Sequence, residues 1–137
     1  MKMNKKGFTL IELLAVIVIL AIIALIATPI IMNVINKAQA GADARSVEAY
    51  GKALESAFYQ YQIDNPTIPA ADMTTLKGNL TVLTGKYVNL SGNGEKVSCA
   101  TAQIIEKAGE EVVDLTDCKV DGRGTFNYTS DVGATKE

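Results

Sequence analysis

Residues 13–32, LLAVIVILAIIALIATPIIM, are twenty positions in which only Thr28 and Pro29 interrupt the hydrocarbon. At about 1.5 Å rise per residue, a helix of that length measures about 30 Å, the thickness of a bilayer's apolar core. Lys2, Lys5 and Lys6 precede the run and no charge lies inside it. That asymmetry predicts a cytoplasmic N-terminus with the remainder of the chain exported. A cleavable secretory signal starts the same way but has an apolar region of only about 7–15 residues before a small-residue cleavage site. Here Ala38-Gln39-Ala40 and Ala42-Asp43-Ala44, the small-residue candidates, lie well beyond the run. A plain single-pass anchor accounts for the run but not for KKGFTLIE in front of it, where Glu12 places an acid at the head of the apolar segment.

An ionised side chain at bilayer depth costs about 2.5–3.5 kcal/mol on insertion scales, so such a group normally has a partner. In reach are only the upstream lysines or a chain terminus. Cutting the backbone after Gly7 makes the α-amine of Phe8 the new terminus, one helical turn from Glu12. That amine could neutralise its own Glu12, or the Glu12 of another copy displaced along the helix axis. The second arrangement turns a costly charge into a register device.

Lys5-Lys6-Gly7-Phe8-Thr9-Leu10-Ile11-Glu12-Leu13 followed by the apolar helix resembles the type IV pilin family, which includes the pseudopilins. The resemblance covers roughly residues 1–40. It implies that a membrane prepilin peptidase cleaves between Gly7 and Phe8 and methylates the new amine of Phe8. It also implies that Glu12 sets assembly register and that Pro29 is a helix break. The partners it implies are further copies of the chain in a helical filament, an assembly ATPase and a membrane platform protein. The expected location is the cytoplasmic membrane before assembly, with the head outside, and the cell surface afterwards. The expected function is that of a structural pilin. The rivals are a pseudopilin of a type II secretion or competence DNA-uptake system, a minor pilin at a filament tip, and a membrane-anchored extracellular binding domain.

Past the run, the apolar pattern narrows to one stripe. Val34, Ile35, Ala38, Ala42, Val47, Tyr50, Leu54, Ala57, Phe58 and Tyr61 recur at spacings of mostly three or four, and Lys37, Asp43, Arg45, Glu48, Lys52 and Glu55 fall mostly off it. The first half of this helix thus has apolar partners all round, while the second lies on something. Asn65-Pro66 should end it, since the residue before a proline is pushed out of the helical region. Residues 66–78 suggest an irregular connection, with one short helical turn over 70–76. Strand-like runs follow at 80–83, 87–90, 111–115 and 125–129, and 103–107 is ambiguous between strand and helix. Gly92-Asn93-Gly94 and Asp121-Gly122-Arg123-Gly124 supply turn chemistry. The expected fold is α+β, a long N-terminal helix whose apolar half protrudes and whose amphipathic half packs on a small antiparallel sheet. The expected divisions are a leader over 1–7, an apolar helix half over 8–36, an amphipathic half over 37–64, a connection over 65–78 and a β-sheet head over 79–137.

Catalytic chemistry is hard to find. The chain has no His, which removes the commonest general base and transition-metal ligand. Gly78 and Gly85-Lys86 miss the spacing of a phosphate-binding loop and are followed by Tyr87. Without the three leading lysines, 10 basic side chains face 15 acidic ones, no footprint for gripping nucleic acid. Asp114, Asp117, Asp121 and Asp131 fit no calcium-loop spacing, and a solvated acidic edge is the plainer account. No enzymatic activity, metal or cofactor is expected. Asn79-Leu80-Thr81, Asn89-Leu90-Ser91 and Asn127-Tyr128-Thr129 fit the glycosylation pattern, which Asn- and Thr-rich sequence produces by chance. Cys99 and Cys118 would most simply form a disulfide in an exported domain; two buried thiols are the alternative.

Overall fold

A computed structural model describes residues 7–88 and 96–137. The lysines of the leader, the Gly92-Asn93-Gly94 turn and Asn89-Leu90-Ser91 lie outside the described residues. Two compact units divide at Gln39/Ala40. Helix α1, Leu10–Asp64, supplies all the regular structure among the described residues of the first unit and opens the second.

Among the described residues of the first unit, the large apolar side chains have no cover. Phe8, Leu10 and Ile11 and the large aliphatics through to Ile35 are all exposed, and no residue of the most apolar 18-residue window is buried. Water cannot tolerate a surface of this kind, so the segment requires lipid or another apolar partner. Pro29 lies inside α1, which is helical on both sides of it. The expected helix break at Pro29 is therefore absent from the single chain. Pro29 brings no N–H to the ladder, so the Leu25 carbonyl loses its usual donor. The Thr28 hydroxyl donates to the Ala24 carbonyl at 2.7 Å beside it, a back-bond that satisfies the hydroxyl within its own helix.

In the second unit, Val47, Tyr50, Leu54, Ala57 and Phe58 from α1 are buried, as the stripe predicted. Burial begins at Asp43, however, and the upper stripe positions Val34, Ile35 and Ala42 are exposed. Asp43 itself, expected off the stripe, is buried because Arg123 reaches its Oδ1 at 3.4 Å. A carboxylate paired with a guanidinium tolerates burial that an isolated one does not. The helix stops at Asp64 as expected, and both the N–H and the side-chain amide of Asn65 donate to the Tyr61 carbonyl.

Helix α2, Ala70–Gly78, extends the predicted turn and buries Leu76. Lys77 forms an ion pair with Glu111. Residues 80–83, expected as a strand, form a 3-10 turn, Leu80–Leu83. Its two buried residues, Leu80 and Leu83, stand at a spacing of three, which a 3-10 helix eclipses onto one side. Asn79 starts the turn by accepting bonds from the Thr81 N–H and hydroxyl. The run at 87–90 is not a strand where it is described: Tyr87 lies in a turn, and Val88 makes one isolated bridge with Thr84.

The sheet is antiparallel throughout. Its strands are β1 (Val97–Ser98), β2 (Thr101–Lys107), β3 (Glu110–Val120), β4 (Arg123–Thr129) and β5 (Gly133–Lys136). β1 and β2 both pair with β3, which pairs with β4, which pairs with β5. The ambiguous segment at 103–107 is thus part of a strand. Its Lys107↔Glu110 register leaves Ala108 and Gly109 as a two-residue loop, both at positive φ, and Asp121-Gly122 closes β3 onto β4 the same way. Such mirror-image turns match the right-handed twist of the strands they join.

Cys99 and Cys118 form a disulfide. It crosses where the β ladder is weakest: Cys99 falls in the gap between β1 and β2, and Cys118 sits where β3 shifts register against β4. The bond therefore pins β1 and β2 to β3. Loss of a cross-link closing a loop of this size, with a sequence separation of 19, costs about 3 kcal/mol in the chain-entropy model. Cys99→Ala/Cys118→Ala is expected to lower the unfolding free energy by about that amount. The parent chain should gain two hydrogens in mass on reduction. Equal masses before and after reduction, or unchanged stability of the double variant, contradict this role.

Candidate functional site: the head of the apolar helix

Gly7, Phe8 and Thr9 lie outside the helix, and α1 begins at Leu10. The start is enforced locally. The Thr9 N–H donates to Glu12 Oε2 at 2.8 Å and the Thr9 hydroxyl to the same oxygen at 2.9 Å. In return the Glu12 N–H donates to the Thr9 hydroxyl at 3.3 Å. This is a reciprocal capping box, in which Thr occupies the N-cap and Glu the third helical position. The carboxylate also stands where the helix dipole favours negative charge.

The acid thus has a partner inside its own chain. Sequence reasoning singled out Glu12 but passed over Thr9. The signal was available: Thr-x-x-Glu immediately ahead of an apolar run is the signature of a helix start. Phe8, the expected new terminus, is exposed and lines a shallow apolar cleft with Glu12, Leu13, Ala15 and Val16. The structure therefore brings Gly7, Phe8 and Glu12 together at the mouth of α1. Pro29 lies some five turns further along the helix, and the disulfide belongs to the second unit.

Three of the four late aspartates are engaged by neighbours in the head, and Asp117 is exposed. Asp114 accepts from the Gln103 amide at 3.0 Å, Asp121 stands 3.5 Å from Arg123 and 3.7 Å from Lys96, and Asp131 accepts from Lys107 at 2.6 Å. The Lys107 bond is the main reason the Asp131 carboxyl lies below its ordinary range, and the Thr129 hydroxyl adds to it. Among the described residues, no three His, Cys, Asp or Glu side chains gather as a metal site would require.

Residues 2–28 match the family model described as the prokaryotic N-terminal methylation motif, the leader of type IV prepilins. The match covers about a fifth of the chain. No curated protein and no solved structure matches the sequence. A leader of this type implies processing by a prepilin peptidase, and together with the uncovered apolar helix it fits a membrane-anchored precursor. The N-terminal motif, with an α+β head consistent with it, supports a type IV pilin-family protein.

Proposed function

We propose that this chain is a structural, non-enzymatic subunit of a helical type IV pilus filament. The observation that carries the reading is the unbroken exposure of large aliphatic side chains along α1 from Leu10 to Ile35, behind a prepilin leader. Before assembly this surface is solvated by lipid, with the head outside the cytoplasmic membrane. After cleavage at Gly7–Phe8 and methylation of Phe8, subunits exchange lipid for one another's helices.

Burial of each Leu or Ile side chain is worth about 1.5–3 kcal/mol relative to water. Summed over the run, a bundle of such helices would resist separation once outside the membrane. Within the bilayer the same driving force nearly vanishes, because lipid tails are as apolar as a neighbouring helix. Extraction then requires external work, which an assembly ATPase acting through a platform protein would supply. The Phe8 amine of one copy, paired with Glu12 of another, fixes axial register.

Electron microscopy of the cell surface, with mass spectrometry of sheared fibres, tests this. Long fibres composed mainly of this chain are expected. Short fibres would point to a pseudopilin, traces of the chain in fibres of another protein to a minor pilin, and no fibres to an anchored domain. Processing is tested separately: Gly7→Val is expected to leave the seven-residue leader attached, read as intact mass. Efficient cleavage of that variant would refute the assignment of the cut.

A further inference from the structure

Beyond the pairing of Glu12 with an amine, the hydrogen bonds around it assign a role to Thr9. Both Thr9 donors converge on Oε2 of Glu12. Among the described residues, the second carboxylate oxygen, Oε1, accepts no hydrogen bond. We propose that Thr9 is the positioning residue for the Glu12 carboxylate, holding one oxygen while presenting the other to the cationic terminus that cleavage creates. The inference rests on the filament reading for its consequence in assembly, but not for the cap itself.

Three physical points lead there. A Glu side chain has three rotatable bonds, and fixing them at the moment of docking is an entropic cost. Thr9 meets that cost inside the single chain, before any partner arrives, which is preorganisation. The cap also holds the helix start at Leu10, leaving Gly7 and Phe8 out of the helical ladder. A helix extending through them would carry the Phe8 nitrogen into the first turn, away from an open approach. Finally, a carboxylate has about four lone-pair sites, so two Thr9 donors on one oxygen leave room for an amine on the other. The hydroxyl is the essential element, because it both donates to Oε2 and accepts from the Glu12 N–H.

The experiment has two arms. In the first, the uncut chain is placed in detergent micelles and amide hydrogen exchange is followed by NMR. The Thr9 amide is expected to exchange roughly fivefold faster in Glu12→Ala than in the parent, the usual scale for losing a cap. Unchanged exchange means that the box does not form and overturns the proposal, whether or not the chain makes fibres.

In the second arm, cleavage and incorporation into sheared fibres are measured for Thr9→Val and Thr9→Ser. Valine keeps the branched shape and the backbone N–H but has no hydroxyl; serine keeps the hydroxyl and drops the methyl. Both are expected to be cleaved. Incorporation should fall roughly fivefold for valine and stay near the parent level for serine. Equal incorporation by both variants, or equal loss by both, overturns the positioning role. A valine variant that stays uncut assigns Thr9 to peptidase recognition instead, which also overturns it. If the parent chain makes no fibres, the filament reading fails by itself, and the exchange arm alone decides the cap.

Discussion

Glu12→Gln is expected to insert in the membrane and lose its leader normally, yet to be recovered in sheared fibres at less than a tenth of the parent level. The amide is the informative replacement because it separates two roles of one side chain. A Gln at the third helical position still accepts from the N-cap, so the box with Thr9 persists. What disappears is the negative charge. In the proposed filament neighbouring helices enclose the pair, and removing one member of such a buried, hydrogen-bonded pair costs about 2–5 kcal/mol, largely because the other charge is left unpaired. Each 1.4 kcal/mol is about a factor of ten, so a single lost pairing per subunit contact is enough for the predicted defect. The measurement is the ratio of fibre to membrane pools by immunoblot, with intact mass confirming leader removal. Parent-level fibres from the glutamine variant would leave Glu12 as a helix cap and nothing more.

Much of this architecture is visible in the residue pattern because single periodicities dominate it. The membrane-length run, the apolar stripe from Val47 to Phe58 and the stop at Asn65-Pro66 each rest on one strong local rule, and each appears in the structure. Misreadings occur where two rules compete. Residues 80–83 have strand-forming composition, but the spacing of Leu80 and Leu83 and the side chain of Asn79 favour a 3-10 turn. Asp43 falls off the apolar stripe in the sequence, and only the position of Arg123, eighty residues away, explains its burial. Ala108-Gly109 is a poor textual sign of a hairpin, since alanine seldom adopts positive φ; the Lys107↔Glu110 register imposes it. Asp121-Gly122, which carries the usual residues for that turn, was legible in advance. At the helix head, attention to the cost of burying Glu12 obscured the simpler relation between Thr9 and Glu12 three residues apart. Pro29 disfavours helix interiors, yet in the single chain helix on both sides carries α1 through it; the bending or unwinding expected there belongs to the contact between copies.

The two glycines in the part of α1 that belongs to the head provide a second large effect, with a built-in control of opposite sign. Gly41 is exposed, and a methyl group added there meets nothing within 4 Å. Gly41→Ala should therefore show only the propensity difference and stabilise the helix by up to about 1 kcal/mol. Gly51 is buried against the sheet, and a methyl group there would fall within 3.0 Å of three ring carbons of Tyr128. The ring has little freedom to move aside, because Tyr128 is only 2% exposed and belongs to β4. Its burial, with Glu55 and Glu48 close by, also holds the phenol above its ordinary pKa, so it stays neutral at physiological pH. Overpacking of this kind typically costs about 1–3 kcal/mol for an added methyl, and more for a larger group. Gly51→Val is accordingly expected to lower stability by more than about 3 kcal/mol, since valine adds two further methyls and recovers little helix propensity. For a domain of this size, 1 kcal/mol corresponds to roughly 4–8 °C in Tm. Near-UV circular dichroism melts of the purified chain in detergent should thus show Gly41→Ala at or above the parent and Gly51→Val lower by more than about 12 °C. The sign difference is the decisive reading. If both variants were stabilised, helix propensity alone would govern these positions, and the close approach of α1 to β4 at Gly51 could not be a feature of the folded head.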